Sequence, residues 1–144
     1  MDINLLRNLG SLVVIVTGIF PQAASAGTIN GATIDRAAHN MAGSLLLHQA
    51  VGAETGSPSA LSVQTTLQHA PDGSTWTNFA PTGTAIQTAA LTAANSENAI
   101  SVDLTGAYRF VRAVTVVSFT GGTTPTVEVV ADIALAGEVQ VPAV

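Results

Sequence analysis

The clearest pattern in the chain is the strict alternation of apolar and polar residues over residues 61–70, "LSVQTTLQHA". Odd positions from Leu61 to His69 point to one side, and even positions point to the other. A period of two is typical of a half-buried β-strand. The same alternation runs through residues 126–135, "TVEVVADIAL", with the odd positions forming the apolar side. We therefore predict a strand over each of these two stretches.

Residues 107–119, "AYRFVRAVTVVSF", form a long run of β-branched and aromatic residues, which is typical of a central strand. Only "TGGTTP" separates this run from residues 126–135, so we predict that the two strands pair as a hairpin. Shorter patterns predict a single helical turn over residues 36–41 and a short edge strand in the tail that ends at Pro142. Further strands are predicted over residues 13–16, 44–50, 84–91 and 99–104.

Turn and loop residues separate these predicted strands. In "PDGS", residues 71–74, Pro71 presets φ, and Asp72 and Gly73 tolerate the conformations of a tight turn. The Gly, Pro and Ser residues of "VGAETGSPSA", residues 51–60, predict a loop, and nothing resembles a long amphipathic helix. Many short strands joined by turns indicate an all-β fold, here an antiparallel, jelly-roll-like β-sandwich over residues 27–144. Residues 1–26 would then form an extended N-terminal arm or a first strand.

The N-terminal stretch "MDINLLRNLGSLVVIVTGIFPQAASAGT" has features of a signal peptide. Arg7 precedes an apolar run, and "ASA" at residues 24–26 has the small-x-small form of a cleavage site. The apolar run is shorter than the roughly 20 residues that a membrane-spanning helix needs. Asp2 offsets Arg7, however, and the β-branched residues of the run favour a strand. We therefore favour an arm that docks on a partner protein, with a cleaved signal as the alternative.

The composition restricts the classes of function. The 144 residues are 47% hydrophobic, which is enough for one domain with its own core. Only 9% of them are charged, against about 25% in ordinary domains, so the surface is suited to packing against other proteins. The net charge of −5 and the scattered arginines argue against nucleic-acid binding. Because the chain has no Cys, it forms no disulfide and no Cys-based metal site.

No motif in the sequence predicts catalysis. The chain lacks nucleophile-elbow and phosphate-binding patterns, and His39, His48 and His69 do not have metal-ligand spacing. We therefore expect no enzymatic activity, no catalytic residue, no cofactor and no metal.

Several other side chains are given structural roles. Trp76 follows the Pro-Asp-Gly turn and is expected to pack beside it, with stacking against a sugar as the alternative. The pair Asp35 and Arg36, and Asp103 with Arg109 or Arg112, are predicted to form ion pairs or loop caps.

Three stretches resemble head decoration (cement) proteins of tailed bacteriophages. They are "GTINGATIDR" at residues 27–36, "LSVQTTLQHAPDGSTWTNF" at residues 61–79 and "DLTGAYRFVRAVTVVSFTGGTTPTVEVVADI" at residues 103–133. The resemblance implies a β-rich structural protein of the virion that is made in the host cytoplasm. It would bind the outer capsid surface, often as a homotrimer, and clamp neighbouring copies of the major capsid protein.

In that interpretation the N-terminal arm adds a strand to an exposed edge of the capsid protein. Neither a membrane nor a nucleic acid is an expected partner. Two alternatives stay open: a tail or spike component, and a secreted carbohydrate-binding sandwich that exposes Trp76 and Tyr108 on one face. The residues expected to contact the partner are Leu5, Leu6, Leu12, Val14, Val16 and Phe20.

Overall fold

The computed structural model of the protein describes residues 13–137, and these are almost entirely β-strand. One 3₁₀ turn, Arg36–His39, confirms the predicted helical turn. The strands within this range are, in chain order, β1 (Val13–Ala24), β2 (Gly27–Asn30), β3 (Ile34–Asp35), β4 (Ser44–Thr55), β5 (Ala60–Ala70), β6 (Thr77–Asn78), β7 (Ser96–Asp103), β8 (Phe110–Thr120) and β9 (Thr126–Ala136).

Two antiparallel sheets pack face to face. The first has the strand order β1-β9-β4-β7, and the second has the order β2-β8-β5-β6, with β3 also pairing with β8. If β2 and β3 count as one interrupted strand, the described chain has eight strands that pass back and forth between the sheets. This is the strand order of a jelly roll, so the predicted all-β, jelly-roll-like antiparallel sandwich is confirmed.

The segment predicted as an arm or first strand is partly described. Its residues 13–24 form β1, the edge strand of the first sheet, which pairs with β9 along its length. The register shifts twice, between Thr17 and Ile19 and between Ile19 and Gln22. The remaining residues of that segment before β1, and the tail in which a short strand was predicted, lie outside the described residues.

The predicted hairpin between the two long C-terminal strands is wrong. β8 is central in the second sheet, as predicted, but β9 lies in the first sheet between β1 and β4. Alternation fixes which face of a strand is buried, and both sheets bury one face, so the pattern fits either sheet. The loop between β8 and β9 instead crosses the sandwich edge, where Thr123 N–H donates to Gly56 O at 2.9 Å in the neighbouring β4–β5 crossing.

Two other boundaries differ from the prediction. β4 continues to Thr55 through the stretch predicted as a loop, because β9 pairs with it as far as that residue. Residues 84–91, predicted as a strand, follow β5 irregularly through isolated bridges of Gln87 to Thr66 and of Leu91 to Val63. By contrast, the alternation in β5 is confirmed, since Leu61, Val63, Thr65 and Leu67 are all buried.

A layer of polar side chains divides the core. The larger hydrophobic cluster contains Leu47 and Leu67, and the smaller contains Val51 and Val63. The residues that lie between them on β4, β5 and β8 are buried polar ones, joined by a threonine from the segment after β6. We call this set the polar layer; its members are Gln49, Thr65, Thr88 and Thr115.

The polar layer joins the two sheets by hydrogen bonds. The Thr65 hydroxyl donates to Gln49 Oε1 at 2.8 Å and lies 2.7 Å from the Thr115 hydroxyl. Gln49 Nε2 donates to Ala89 O at 2.9 Å. Because a buried polar group without a partner is costly, these bonds fix the relative position of the sheets.

Candidate interaction surface

The outer face of the first sheet is apolar at one end. The register places Ile15, Ala134 and Leu46 side by side across β1, β9 and β4, with Val13 and Ala136 in the next row. These five residues are called the first-sheet patch. Ile15 is 73% exposed and Leu46 is 41% exposed, which is unusual for large aliphatic side chains on a sheet.

Two shallow depressions shape this surface. One, of about 200 Å³, is lined by Ile15, Leu46, His48, Asp132 and Ala134. The other, of about 260 Å³, lies on the far side of Leu46 and reaches Ser101 on β7. The first-sheet patch is therefore a grooved apolar surface that can receive side chains of another protein.

Next to the patch, His48 lies between two carboxylates on the same face. Its Nε2 is 2.9 Å from Glu97 Oε2, and its Nδ1 is 3.8 Å from Asp132 Oδ2. The register aligns the three across β7, β4 and β9 as near neighbours. This group forms a polar border along one side of the first-sheet patch.

The predicted contact residues fall in different places. Leu5, Leu6 and Leu12 lie outside the described residues. Val14 and Val16 are half-buried and pair with the core residues Leu135 and Ile133, so they point inward. Phe20 is 68% exposed, beyond the first register shift.

Sequence reasoning missed Ile15 and Leu46, the two most prominent residues of the first-sheet patch. Both lie in uninterrupted apolar runs, "VVIV" and "LLL", where no alternation shows which residues face outward. The informative signal was in β9, where the alternation assigns Ala134 and Asp132 to the outer face. Ile15 and Leu46 both pair with Ala134, so they lie on that same face.

The second sheet presents a different outer face. The Arg112 guanidinium lies over the ring of Trp76, 4.4 Å from its centroid. Its Nε and Nη2 donate to Gln68 Oε1 at 3.0 and 2.8 Å. Gln68 Nε2 in turn donates to Asn78 Oδ1 at 3.0 Å. Trp76 thus packs on the face beside its turn, as predicted, in a row of planar polar groups.

Tyr108 lies elsewhere, at one end of the sandwich. Its ring stacks on His69 with centroids 4.4 Å apart, and its backbone N–H donates to His69 Nδ1 at 3.1 Å. Burial lowers the pKa of His69, and the ring lines a cleft of about 300 Å³ with Phe79 and Thr105 among its other residues. Gln68 and His69 are consecutive on β5, so their side chains point to opposite sides of the second sheet. Arg112 pairs with Gln68 and therefore points to the side opposite His69. Tyr108 and Trp76 therefore do not share a face.

The charged loop residues have structural partners. Asp35 pairs with Arg109 rather than with the adjacent Arg36, through contacts of 2.8 Å from Nε and 2.7 Å from Nη2. The hydrogen bonds from Arg109 lower the pKa of Asp35 to about 2. Asp103 caps its loop, as predicted, by accepting the Thr105 hydroxyl at 2.7 Å and the Thr105 backbone N–H at 2.9 Å. These two hydrogen bonds lower the pKa of Asp103.

Arg36 is buried without a carboxylate among residues 13–137. It donates to Ala42 O from Nε and Nη2, and to Ala107 O and Tyr108 O from Nη1. The guanidinium therefore ties the 3₁₀ turn to the loop before β8. Burial lowers the pKa of this group.

The three histidines are not brought together. Within residues 13–137, no three His, Asp or Glu side chains form a group that could hold a metal ion. Over the same residues, no helix is long and apolar enough to cross a membrane. What the described arrangement offers is contact surface: one grooved apolar face and one face bearing an aromatic ring and a cation.

The fold and these two faces define a jelly-roll protein with extensive contact surface. No protein-family model and no curated protein matches the chain. Among solved structures, that of infectious bursal disease virus Gx strain is 17% identical, with a TM-score of 0.49, over 88% of this chain and 32% of that one.

A mutant VP2 protein of the same virus, in derived T=1 particles, is 15% identical with a TM-score of 0.44. The match covers 85% of this chain and 30% of that one. The Gt strain structure is 13% identical with a TM-score of 0.43, and the match covers 90% of this chain and 32% of that one. The chain spans about a third of the length of these proteins. The jelly-roll assignment rests on its own strand order.

Proposed function

We propose that the protein is a structural component of a virion: a decoration protein that binds the outer surface of a viral capsid. In this role it stabilises the lattice of the major capsid protein, in the manner of the tailed-bacteriophage decoration proteins that its sequence resembles. It acts as a homo-oligomer, with a trimer favoured, and needs neither a cofactor nor a catalytic residue.

The observation that carries this proposal is the first-sheet patch. Monomeric proteins rarely expose a large contiguous apolar patch, and here Ile15 and Leu46 are exposed on either side of Ala134 in one row of the sheet. Such patches mark contact with other proteins. The low charge of the chain supports the same function, because only 9% of its residues are charged. A jelly roll alone does not decide it, since the fold also occurs in lectins and cupins.

The carbohydrate-binding alternative is less well supported. It requires Trp76 and Tyr108 to be exposed together, whereas Trp76 is half-buried against Arg112 and Tyr108 lies at the end of the sandwich on His69. Because the two rings lie at separate places on the surface, they do not form one stacking platform for a sugar.

Co-sedimentation with purified capsids that lack the protein tests the proposal. The key variant is Leu46→Asp, which places a charge in the middle of the first-sheet patch. We expect its dissociation constant to rise at least about tenfold, since burying an unpaired carboxylate in an apolar contact is costly.

Val116→Asp is the matched control. Val116 is 47% exposed on β8, so the substitution adds the same charge to a central strand of the other sheet. We expect it to bind as the wild type does. If the wild type does not sediment with capsids, the decoration role is wrong. If Val116→Asp abolishes binding and Leu46→Asp does not, the second sheet is the docking face.

A further inference from the structure

Arg112 has unused hydrogen-bonding capacity at the surface. Of its five N–H groups, the one on Nε and one on Nη2 donate to Gln68 Oε1. The Nη1 group and the other Nη2 N–H donate no hydrogen bond to any described residue. No carboxylate within residues 13–137 pairs with this arginine, whereas Arg109 is paired with Asp35. Its free edge has the fork geometry that binds a carboxylate in a bidentate manner.

The side chain is held ready for such a contact. The Trp76 ring and the Gln68 amide fix the guanidinium from two directions. Because its rotamers are already restricted, binding a carboxylate would cost little conformational entropy. We call Trp76 and Arg112 together the Trp76–Arg112 unit.

The complementary feature lies on the opposite face of the same protein. Glu128 projects outward from β9, and it forms no ion pair with any residue between 13 and 137. It lines a groove of about 260 Å³ whose other walls are apolar, among them Pro21, Ala50, Gly52 and Val130. An apolar groove with one unpaired carboxylate matches an aromatic ring with one unpaired cation.

We propose that the Trp76–Arg112 unit of one copy docks in the Glu128 groove of a second copy. Arg112 takes the Glu128 carboxylate, and the indole edge of Trp76 covers the apolar walls. Because the unit and the groove lie on different sheets, the contact is head-to-tail and not two-fold symmetric. Such contacts close into rings or continue as an array, either of which suits a protein that acts in many copies.

This inference rests on one part of the proposed function, namely that many copies of the protein assemble together. Its test needs no capsid, so the outcomes for the two proposals can be separated. Self-association of the purified full-length chain is measured by sedimentation velocity over increasing concentration.

Charge reversal is the first measurement. We expect Arg112→Glu and Glu128→Arg each to raise the self-dissociation constant at least about tenfold, and the double variant to restore association. Glu128→Arg is informative alone, because Glu128 has no described partner whose loss would disturb folding. Glu97→Arg is the control, since it makes the same charge change on the same sheet outside the groove. Combined with Arg112→Glu, it should fail to restore association.

Site-directed cross-linking is the second measurement, and it is clean because the chain has no Cys of its own. Asn78→Cys places a thiol next to Gln68, on the same face as Arg112, and Ala50→Cys places one in the groove. Under mild oxidation, a mixture of the two variants should form disulfide-linked dimers, while each variant alone should not. The proposal is overturned if the wild type stays monomeric up to about 1 mM, if the charge swap does not restore association, or if Asn78→Cys alone cross-links equally well.

Discussion

Replacing Thr65 by valine removes the hydroxyl group at the centre of the polar layer while keeping the volume of the side chain. Thr65 is fully buried, and its hydroxyl joins Gln49 Oε1 and the Thr115 hydroxyl at 2.8 and 2.7 Å. Gln49 Oε1 has no other donor among the described residues. The substitution therefore breaks both hydrogen bonds and leaves two buried polar groups without a partner among the described residues, the Gln49 amide oxygen and the Thr115 hydroxyl.

The magnitude follows from these contacts. Two lost hydrogen bonds cost about 2 kcal/mol, and the orphaned amide oxygen adds about 1–3 kcal/mol. Thr65→Val should therefore cost at least about 3–5 kcal/mol, because the Thr115 hydroxyl is orphaned as well. Gln49→Met should cost only about 2 kcal/mol, although it removes more polar atoms. The carbonyl groups that Gln49 binds keep other donors: Asn98 Nδ2 to Ala89 O, and Leu91 N–H to Val63 O.

The double variant gives the sharpest test. In Gln49→Met with Thr65→Val the orphaned oxygen no longer exists, so the combined loss should be smaller than the sum by about 1–3 kcal/mol. Urea unfolding followed by fluorescence of Trp76, the single tryptophan, measures all three values. Thr66→Val is the control, because Thr66 is adjacent, faces outward and makes no described side-chain hydrogen bond. Additive losses, or a smaller loss for Thr65→Val than for Gln49→Met, would refute this account of the polar layer.

Three further predictions concern the loops. Arg36→Met leaves buried carbonyl groups without their donor and should lower the free energy of unfolding by about 3 kcal/mol in the same urea assay; an unchanged midpoint would contradict it. The ion pair with Arg109 lowers the folded-state pKa of Asp35 from 3.8 to about 2, so it stabilises the fold above about pH 4, and this contribution is lost as the pH falls to about 2. The stability difference between wild type and Asp35→Asn, followed by circular dichroism, should shrink over that window, and a pH-independent difference would count against it. Gly31→Ala brings a Cβ within 2.6 Å of one carbonyl oxygen and 2.7 Å of another, whereas at Gly43 the nearest atom is 3.8 Å away. The Tm should fall by at least about 5 °C for Gly31→Ala and barely change for Gly43→Ala.

The sequence predicted the class of fold because alternation is local. The period of two in β5 and β9 and the β-branched run of β8 identified each strand and its buried face. The same pattern does not show which strands pair with each other. β8 and β9 are close in sequence but lie in different sheets, because a crossing loop and a hairpin loop of this length look alike.

The candidate surface was predicted only in outline. The apolar N-terminal segment was recognised, and its described part is an edge strand of the sheet that carries the first-sheet patch. The residues Val14 and Val16 were chosen within an unbroken apolar run, and the pairing with β9 points both inward. Ile15 and Leu46 come onto one exposed row only because Ala134 of β9 pairs with both, and Ala134 is 119 positions (134 − 15) from Ile15 and 88 positions (134 − 46) from Leu46 in sequence.

The central claim is that the first-sheet patch is buried in the assembled particle. Hydroxyl-radical footprinting of the protein, free and bound to capsids, measures this at individual side chains. We expect oxidation of Ile15 and Leu46 to fall strongly on binding, while Met41 and Tyr108, which are 45% and 48% exposed at other sites, stay unchanged. If Ile15 and Leu46 are oxidised equally in both states, the patch is not the docking face.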